Sequence, residues 1–195
     1  MQVKKEDLRN DIIEAAKEEF MHHGYEGASM RRIASKVHTT LGNLYNYFDN
    51  KEELLGVVIH PSIQSLYKLV EVHFEREERV HSLKEVDEAL DQFGDFFKES
   101  EFCYIMDERL IILFELKTTD YIEKRDWFVL KFKQHMAWHL NIDDLNSPYL
   151  DIITNMFIDC IKHVLTSHDN LEMQKQEFLK VFKMLCTGLI VNEEK

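Results

Sequence analysis

Apolar residues recur at intervals of three and four along most of this chain, which is the spacing that places them on one face of an α-helix. The first such stretch covers residues 5–23 and precedes Gly24, a residue type that readily takes the left-handed turn after a helix. The strongest pattern lies near the carboxyl terminus, where helices are predicted over residues 147–167 and 171–187. The periodicity therefore predicts an all-α protein. Four further stretches share it: residues 54–79, 83–98, 102–117 and 121–140.

Three short helices are predicted directly after the first one. Each is preceded by side chains that can accept hydrogen bonds from the free amides of a helix start. Because isolated helices shorter than about 12 residues are marginal in water, they must pack on one another. We therefore predict an amino-terminal domain over residues 1–50 and a larger helical domain over residues 51–195. The predicted caps are Ser29 for a helix that begins at Met30, Thr39 or Thr40 for residues 41–48, and Asp49 or Asn50 for a helix that begins at Lys51.

The composition supports a helical fold and limits the classes of partner. Only two prolines and six glycines occur in 195 residues, of which 45% are hydrophobic, so many short strands joined by tight turns are not expected. The net charge of −12 excludes a protein that coats nucleic acid with its whole surface. Residues 29–51 depart from this average, because they contain four cations and a single aspartate, which gives a local charge of +3. The cations are Arg31, Arg32, Lys36 and Lys51. This small cationic patch can still meet a phosphate backbone.

The amino-terminal stretch is charged and lacks the apolar segment of a secretory signal. No later stretch reaches the roughly 18 apolar residues of a membrane span. We therefore expect a cytoplasmic protein without membrane contact. The cysteines, Cys103, Cys160 and Cys186, are odd in number and lack CxxC spacing, so neither a disulfide framework nor a thiolate zinc site is expected.

A short helix, a tight turn and a second short helix form the element that enters the major groove in helix-turn-helix proteins. In the second helix, Leu44 and Phe48 are spaced to pack inward, which leaves Tyr45, Asn46 and Tyr47 able to face outward. Tyrosine hydroxyls can donate to phosphates, and an asparagine amide matches the edge of adenine. The same residue types are common on ordinary surfaces, so a solvated or protein-contacting face is the alternative at this point.

A specific combination of residues runs from the end of the first helix into the fourth: Phe20, Gly24, Tyr25, Ser29, Ile33, Ala34, Gly42, Leu44, Tyr45, Tyr47, Phe48, Lys51, Glu52 and Leu54. In this combination residues 8–55 resemble the helix-turn-helix of the tetracycline-repressor (TetR) family of bacterial transcription regulators. The turn departs from the family pattern, because His38 and Thr39 stand where a glycine and an apolar residue are usual. We expect either a non-glycine residue in a disfavoured backbone conformation there or a reshaped turn.

The resemblance implies DNA contacts for a set of residues in this segment. Phosphate contacts are implied at helix N-termini for Ser29 and Thr40, and also for Tyr45, Asn46, Tyr47 and Lys51. Base contacts are implied for Arg31, Leu41, Gly42 and Asn43. Because a leucine can read only a thymine methyl or exclude other bases by shape, the operator is expected to be rich in A·T pairs.

A single unit of this size contacts few bases, so specific binding is expected to require two copies on a pseudo-palindromic operator of double-stranded DNA. The resemblance implies a homodimer in which the helices at 147–167 and 171–187 pack against their symmetry mates as a four-helix bundle. The alternative is that both apolar stripes belong to the core of a single chain. The implied interface residues are Ile153, Met156, Phe157, Cys160, Ile161, Val164, Phe178 and Phe182.

Aromatic and methionine side chains are dense between residues 61 and 140, and such side chains can line an adaptable apolar pocket. In the resembled family this domain typically binds a small effector, so a small hydrophobic effector is the expected ligand. An aromatic stripe at helical spacing is also typical of an ordinary core, which is the alternative. The expected pocket residues are Tyr67, Phe93, Phe97, Tyr104, Met106, Phe114, Trp127, Phe128 and Trp138.

The expected function is that of a transcriptional repressor that leaves its operator when the effector binds. The helix that begins at Lys51 is the expected lever, with a break near Pro61 as its pivot. In one alternative the large domain binds a protein partner instead of a small molecule. In another the chain is a helical metal-dependent enzyme that uses His135 and His139, which are one helical turn apart. Because no complete catalytic or metal motif occurs, we expect no enzymatic activity, no cofactor and no metal.

Overall fold

We describe residues 2–74, 105–167 and 170–190 in a computed structural model of the chain. These ranges contain helices and no strand, which confirms the all-α prediction. A π-helical segment, Val70–Phe74, follows the fourth α-helix. None of the helices in these ranges is long and apolar enough to cross a membrane. The α-helices are α1 (Gln2–Gly27), α2 (Met30–Lys36), α3 (Leu41–Leu44), α4 (Lys51–Leu69), α5 (Arg109–Glu115), α6 (Ile122–His139), α7 (Pro148–Ser167) and α8 (Leu171–Ile190).

Local signals in the sequence place several helix ends correctly. The backbone of α1 breaks at Gly24 as predicted, but its φ of 65° and ψ of 168° form an extended conformation open essentially to glycine alone, not the left-handed helical turn that was expected. The side chains of Ser29 and Thr40 cap α2 and α3. At the start of α4, Asn50 Oδ1 accepts a hydrogen bond from the amide of Glu53 at 2.8 Å. The predicted starts of these three helices are therefore confirmed.

Two predicted helices differ in length from the observed ones. α3 ends at Leu44 rather than near residue 48, because the amides of Asn46 and Tyr47 donate to carbonyls three residues back and tighten the chain into turns. The helix predicted over residues 102–117 is observed as α5 and starts later. Ile105 and Met106 are buried but lie outside any α-helix. Their apolar side chains therefore extended the helical pattern in the sequence beyond the helix itself. The helix predicted over residues 83–98 lies outside the described residues.

The predicted break near Pro61 is not present, since α4 continues through this residue. Proline lacks the amide that would donate to the carbonyl four residues earlier, which weakens a helix. The turns on either side are nevertheless held by packing, because Ile59 and Ile63 are both buried. The pivot expected in this helix therefore has no counterpart in the observed backbone.

The chain divides into two compact units, the first formed by residues 1–64 and 109–125 and the second by residues 65–108 and 126–195. The first unit extends beyond the boundary predicted after residue 50. The reason is that α5 packs against α1 and that both α4 and α5 bury apolar side chains. A domain without these helices would expose the surfaces they cover. The fully buried leucines involved are Leu54, Leu55, Leu110 and Leu113.

A core of large apolar side chains supports α2 and α3 in the first unit. Ile12, Phe20, Ile33, Leu44 and Phe48 are each at most 2% exposed. Burial of one such side chain stabilises the fold by about 1.5–3 kcal/mol. The predicted inward orientation of Leu44 and Phe48 is confirmed, so the opposite side of α3 is left for other contacts.

In the second unit α7 packs against α8 through aromatic side chains. The ring centroids of Phe157 and Phe178 are 5.8 Å apart, and those of Phe132 and Phe157 are 4.3 Å apart. Much of the predicted dimer interface therefore lies within a single chain, because these positions face neighbouring helices of the same chain. Among the predicted set, Met156 is exposed, and Cys160 and Phe182 are partly exposed. The buried members are Ile153, Phe157, Ile161, Val164 and Phe178.

The aromatic residues predicted to line a pocket are packed in pairs where the structure describes them. The ring centroids of Tyr67 and Trp127 are 4.6 Å apart, and Phe128 lies 5.9 Å from Phe74. Trp138 lies 4.7 Å from His139. These contacts are typical of an aromatic core, and the pocket stays a prediction. Of the other expected members, Met106 is buried, Phe114 belongs to the first unit, and Phe93, Phe97 and Tyr104 lie outside the described residues.

Candidate nucleic-acid interface

The turn between α2 and α3 is a Schellman motif, in which a residue with positive φ ends a helix. His38 takes this position with a φ of 53°. Its amide donates to the carbonyl of Ser35 at 3.1 Å, and the amide of Thr39 donates to the carbonyl of Ala34 at 2.9 Å. A side chain in this conformation costs about 1 kcal/mol relative to glycine. The expectation of a non-glycine residue in a disfavoured conformation is confirmed.

Two hydroxyls predicted to contact phosphates act as helix caps. Ser29 Oγ accepts from the amide of Arg32 at 3.4 Å, and Thr40 Oγ1 accepts from the amide of Asn43 at 3.1 Å. A hydroxyl that accepts a hydrogen bond keeps its own hydrogen to donate. Each cap therefore still offers a donor to an anion at a helix start, where free amides favour negative charge.

Several residues predicted to contact bases or phosphates lie on the outer side of α3 and in the turns after it, whereas the predicted base reader Arg31 lies in α2. Gly42 is exposed, and a methyl group placed on it meets no atom within 4 Å. Tyr45 is 45% exposed and Asn46 is also exposed. This surface combines an open backbone with phenol and amide groups, which can contact both phosphates and base edges. Three more predicted members are half-buried there: Leu41, Asn43 and Tyr47.

Lys51, predicted to contact phosphate, is engaged with the backbone of its own chain. Its Nζ donates to the carbonyls of Tyr25 at 2.6 Å, Ala28 at 3.2 Å and Glu26 at 3.4 Å. The same ammonium lies 4.5 Å from the centroid of the Tyr25 ring, a cation–π distance. Because an ammonium has three hydrogens, these carbonyls account for all of them. Lys51 therefore ties the start of α4 to the segment between α1 and α2.

Glu19 in α1 accepts hydrogen bonds from the start of α2. Its Oε1 accepts from the amide of Ser29 at 2.9 Å and from Arg32 Nε at 2.8 Å. Burial alone raises the pKa of this carboxyl, but the hydrogen bonds from Arg32 and Ser29, with the charges of Arg32 and His23, outweigh it and lower the pKa. Arg32 also donates to the carbonyl of Gly27 at 2.7 Å. Arg32 and Glu19 thus fix α2 against α1.

The cationic patch predicted from local charge is partly neutralised within the chain. Arg32 pairs with the carboxylate just described, Lys36 pairs with Glu18, and Lys51 lies on backbone carbonyls. Of these four cations, Arg31 is exposed and has no partner among the described residues. The Lys36 and Glu18 side chains are 51% and 49% exposed, so their pairing is weak and open to exchange with a phosphate.

Two cations near the amino end of α1 lie outside the predicted set. Lys5 Nζ is 5.8 Å from the centroid of the Tyr47 ring, and the Arg9 guanidinium is 5.3 Å from that of Phe48. Both cations are exposed. They add positive charge beside the segment after α3. The signal available in the sequence was their spacing of four residues, which places both on one face of the first helix.

The loop between α5 and α6 is bonded to the amino-terminal helices, a contact that periodicity does not reveal. The hydroxyl of Thr118 donates to Glu26 Oε1 at 2.9 Å, and the amide of Asp120 donates to Glu52 Oε1 at 3.1 Å. Burial raises the pKa of Glu26, yet hydrogen bonds from its own backbone, from Thr118 and from the Lys117 backbone, with the Lys117 charge, lower it overall. This loop therefore belongs to the same unit as the helix-turn-helix.

Gly56 in α4 makes room for Tyr121 at the end of the same loop. A methyl group placed on Gly56 would overlap the hydroxyl and the ring of Tyr121. The tyrosine side chain therefore rests against the backbone of α4, and no larger residue fits at position 56 without displacing it.

The two histidines considered as metal ligands are adjacent on α6. The Nε2 atoms of His135 and His139 are 3.1 Å apart, and the His135 ring stacks on Phe74 at a centroid distance of 4.5 Å. Within the described ranges no group of three or more possible metal ligands occurs. Two histidines by themselves do not supply the three protein ligands of a catalytic zinc site.

Residues 12–58 match the family described as bacterial regulatory proteins, tetR family. Over this amino-terminal segment the chain is similar to the tetR family. The matched segment runs from α1 into α4 and so contains the caps, the turn and the outer surface of α3 described above. The TetR resemblance found in the sequence is thereby confirmed.

Curated relatives share this TetR-family segment. The HTH-type transcriptional repressor AcnR of Corynebacterium diphtheriae is 41% identical over 46 residues, which are 24% of this chain and 24% of that protein. The HTH-type transcriptional regulator UidR of Escherichia coli is 36% identical over 59 residues, which are 30% of each protein. The chain thus matches only about a quarter to a third of the length of these relatives.

A solved structure extends the likeness of fold beyond this segment. The crystal structure of a TetR-family transcriptional regulator from Bordetella parapertussis 12822 matches with a TM-score of 0.58 and 20% identity. The match covers 91% of this chain and 94% of that one. At this identity the likeness concerns the fold. The likeness of fold to this regulator therefore extends well beyond residues 12–58.

Proposed function

We propose that this protein is a DNA-binding transcriptional regulator that represses its targets from a pseudo-palindromic operator in double-stranded DNA. The observation that carries the proposal is the outer surface of α3, where Gly42 leaves the backbone open and Tyr45 and Asn46 are exposed. A helix with an open backbone and hydrogen-bonding side chains suits the major groove. The Thr40 hydroxyl, at the start of this helix, adds a donor for phosphate. The relation of this segment to a repressor and a regulator supports the same function.

The charge distribution suits a local contact with DNA. Although the whole chain carries −12, the exposed cations in the helices of the proposed interface include Lys5, Arg9 and Arg31. Every phosphate that such a cation neutralises releases counterions, which contributes about 0.9 to the slope of log affinity against log salt. The slope of log affinity against log salt therefore counts the phosphates that these cations neutralise.

Two copies of the chain are needed to read a pseudo-palindrome, and α7 offers a surface for their pairing. Tyr149, Ile152 and Met156 follow one another at intervals of three and four, and their side chains are 43%, 57% and 49% exposed. Cys160 continues the same row and is partly exposed. Apolar side chains exposed in a row are costly in a monomer and are typical of an interface. The proposed homodimer therefore uses this row in place of the buried residues predicted first.

The proposed regulator responds to a small hydrophobic effector bound by the second unit. The support is the density of aromatic and methionine side chains between residues 61 and 140, which can line an adaptable apolar pocket. An effector that prefers a conformation unsuited to DNA must weaken operator affinity by the same factor by which DNA weakens effector binding. The coupling free energy can therefore be measured in two ways: by titrating effector with and without operator, and by titrating operator with and without effector.

Selection of bound duplexes from a random-sequence pool tests the DNA-binding function, followed by fluorescence anisotropy with the enriched duplex over a range of salt concentrations. We expect inverted repeats to be enriched and log affinity to fall linearly with log salt. Tyr45→Ala should weaken binding to every duplex, whereas Gln134→Ala, on the exposed surface of α6, should leave it unchanged. Failure of the wild-type protein to bind any duplex in dilute buffer would contradict the proposal.

A further inference from the structure

The side chain of Asn43, which is predicted to read bases, is held from within the helix-turn-helix. Its Nδ2 donates to Thr39 Oγ1 at 2.8 Å in a partly buried hydrogen bond. Its Oδ1 accepts a longer bond of 3.4 Å from Asn46 Nδ2. Its backbone amide donates to the capping hydroxyl of Thr40 at 3.1 Å. The shortest side-chain bond in this set is therefore the one that Thr39 accepts.

Thr39 is itself fixed by the turn. It directly follows His38, the residue with positive φ, and its amide donates to the carbonyl of Ala34 at 2.9 Å. A threonine side chain branches at Cβ, which restricts its χ1 rotamers. The hydroxyl that meets Asn43 thus belongs to a residue whose backbone is anchored to α2. This anchoring exists before any DNA is bound.

The hydrogen bonds leave Asn43 with the groups that an adenine edge needs. A side-chain amide carries two hydrogens on nitrogen and two lone pairs on oxygen. Thr39 takes one hydrogen and Asn46 occupies one lone pair, so one donor and one acceptor are left. Adenine N6 donates and adenine N7 accepts, so they match the remaining acceptor and donor of the amide, which gives the bidentate asparagine–adenine contact.

We infer that Thr39 is a specificity-determining residue, which acts by holding the Asn43 amide in one orientation. The inference rests on the proposed function as a DNA-binding regulator. Without the Thr39 hydroxyl the Asn43 side chain loses its shortest hydrogen bond and is free to leave this position. A displaced amide no longer meets N6 and N7 of adenine together. Thr39 therefore sets which base pair Asn43 accepts while making no base contact of its own.

The experiment compares isosteric and conservative replacements of Thr39. Thr39→Val keeps the branched shape without the hydroxyl, and Thr39→Ser keeps the hydroxyl. Both are made in the full chain, alone and combined with Asn43→Ala. The probes are the duplex that the wild-type protein selects from a random pool, its single-base variants, and a shuffled duplex of equal length. Thermal unfolding of each variant is measured in parallel, because an unchanged melting temperature shows that the turn still folds.

Thr39→Val should lose about five- to tenfold in discrimination at the base pair where Asn43→Ala also loses it, since a bidentate contact discriminates by about 1–3 kcal/mol. Affinity for the shuffled duplex should stay at the wild-type value, and Thr39→Ser should retain discrimination. In the Asn43→Ala background, Thr39→Val should add nothing.

Three results would overturn the inference while leaving DNA binding intact. These are wild-type discrimination in Thr39→Val, an equal loss at all base pairs, or an undiminished effect of Thr39→Val in the Asn43→Ala background. A wild-type protein that binds no duplex overturns the proposed function, and the inference with it.

Discussion

The ammonium of Lys51 lies 4.5 Å from the centre of the Tyr25 ring and donates to the carbonyl of the same residue at 2.6 Å. The two residues are 26 positions apart, so the pair joins the start of α4 to the end of α1. Burial, together with the charges of Glu52 and Glu26, raises the pKa of Tyr25 and keeps its phenol protonated. A neutral ring and an ammonium attract each other, which supports a structural role for Lys51.

Lys51→Ala should lower the free energy of unfolding by about 1–3 kcal/mol, because it leaves several carbonyls without their charged donor. Thermal unfolding followed by circular dichroism measures this loss. Lys36→Ala is the matched control, since its half-exposed pair with Glu18 should contribute less than about 1 kcal/mol. A Lys51→Ala protein that melts like the wild type, and whose salt slope for DNA falls by about 1, would instead show Lys51 to be a phosphate contact.

Glu19→Gln should destabilise the protein in a manner that depends on pH. The folded-state pKa of Glu19 is lowered, so the ionised carboxylate stabilises the fold above the pKa of the unfolded state. This contribution is lost as the pH falls through the folded-state pKa. The difference in melting temperature between wild type and variant should therefore be largest near neutral pH and shrink in acid.

Glu14→Gln is the control for the pH series, because the Glu14 side chain is 60% exposed and pairs with Lys17 on the same helix. Its melting temperature should follow that of the wild type across the series. A Glu19→Gln difference that stays constant from neutral to acid pH would contradict the role assigned to the carboxylate charge.

Gly56→Ala should destabilise the first unit by about 1–3 kcal/mol, because the added methyl group overlaps the side chain of Tyr121. Tyr121→Phe removes the nearest atom, so the same alanine should cost less in that background. Gly42→Ala is the matched control, since nothing lies within 4 Å of the added methyl group and helix propensity favours alanine by up to about 1 kcal/mol. Equal melting temperatures for Gly56→Ala and Gly42→Ala would show that Tyr121 moves aside freely.

Met156→Glu should convert the proposed dimer to monomer by placing a charge in the exposed apolar row of α7, since an unpaired charge is costly to bury. Analytical ultracentrifugation measures the change in molecular mass. Gln134→Glu adds the same charge on the exposed surface of α6 and should leave the mass unchanged. If Met156→Glu sediments like the wild type, α7 does not supply the contact between copies.

Local signals in the sequence were enough to predict several parts of the candidate site. Gly24, Ser29 and Thr40 act within one helical turn of themselves, so their roles as helix stop and caps follow from residue type alone. The disfavoured backbone at His38 was one of two outcomes expected from the TetR resemblance, in which a glycine is usual at the turn.

Contacts between distant positions could not be predicted from these patterns. The sequence shows that Lys51 is a cation, but its carbonyl partners lie more than twenty residues away and become visible only in the folded chain. The apolar period of α7 likewise does not say which neighbour it meets, and Phe157 is buried within its own chain. Periodicity identifies the apolar face of a helix, whereas packing decides what covers that face.

The place of α5 in the first unit limits how this protein can be cut or recombined. A fragment that stops after residue 64 retains the turn and α3 but lacks the helix that packs on α1 and the loop that binds Glu26 and Glu52. Chimeric proteins that contain only the amino-terminal segment would expose the apolar surface that α5 covers. Fusions of the first unit to another domain should therefore include residues 109–125. We also expect the two segments of this unit to coevolve.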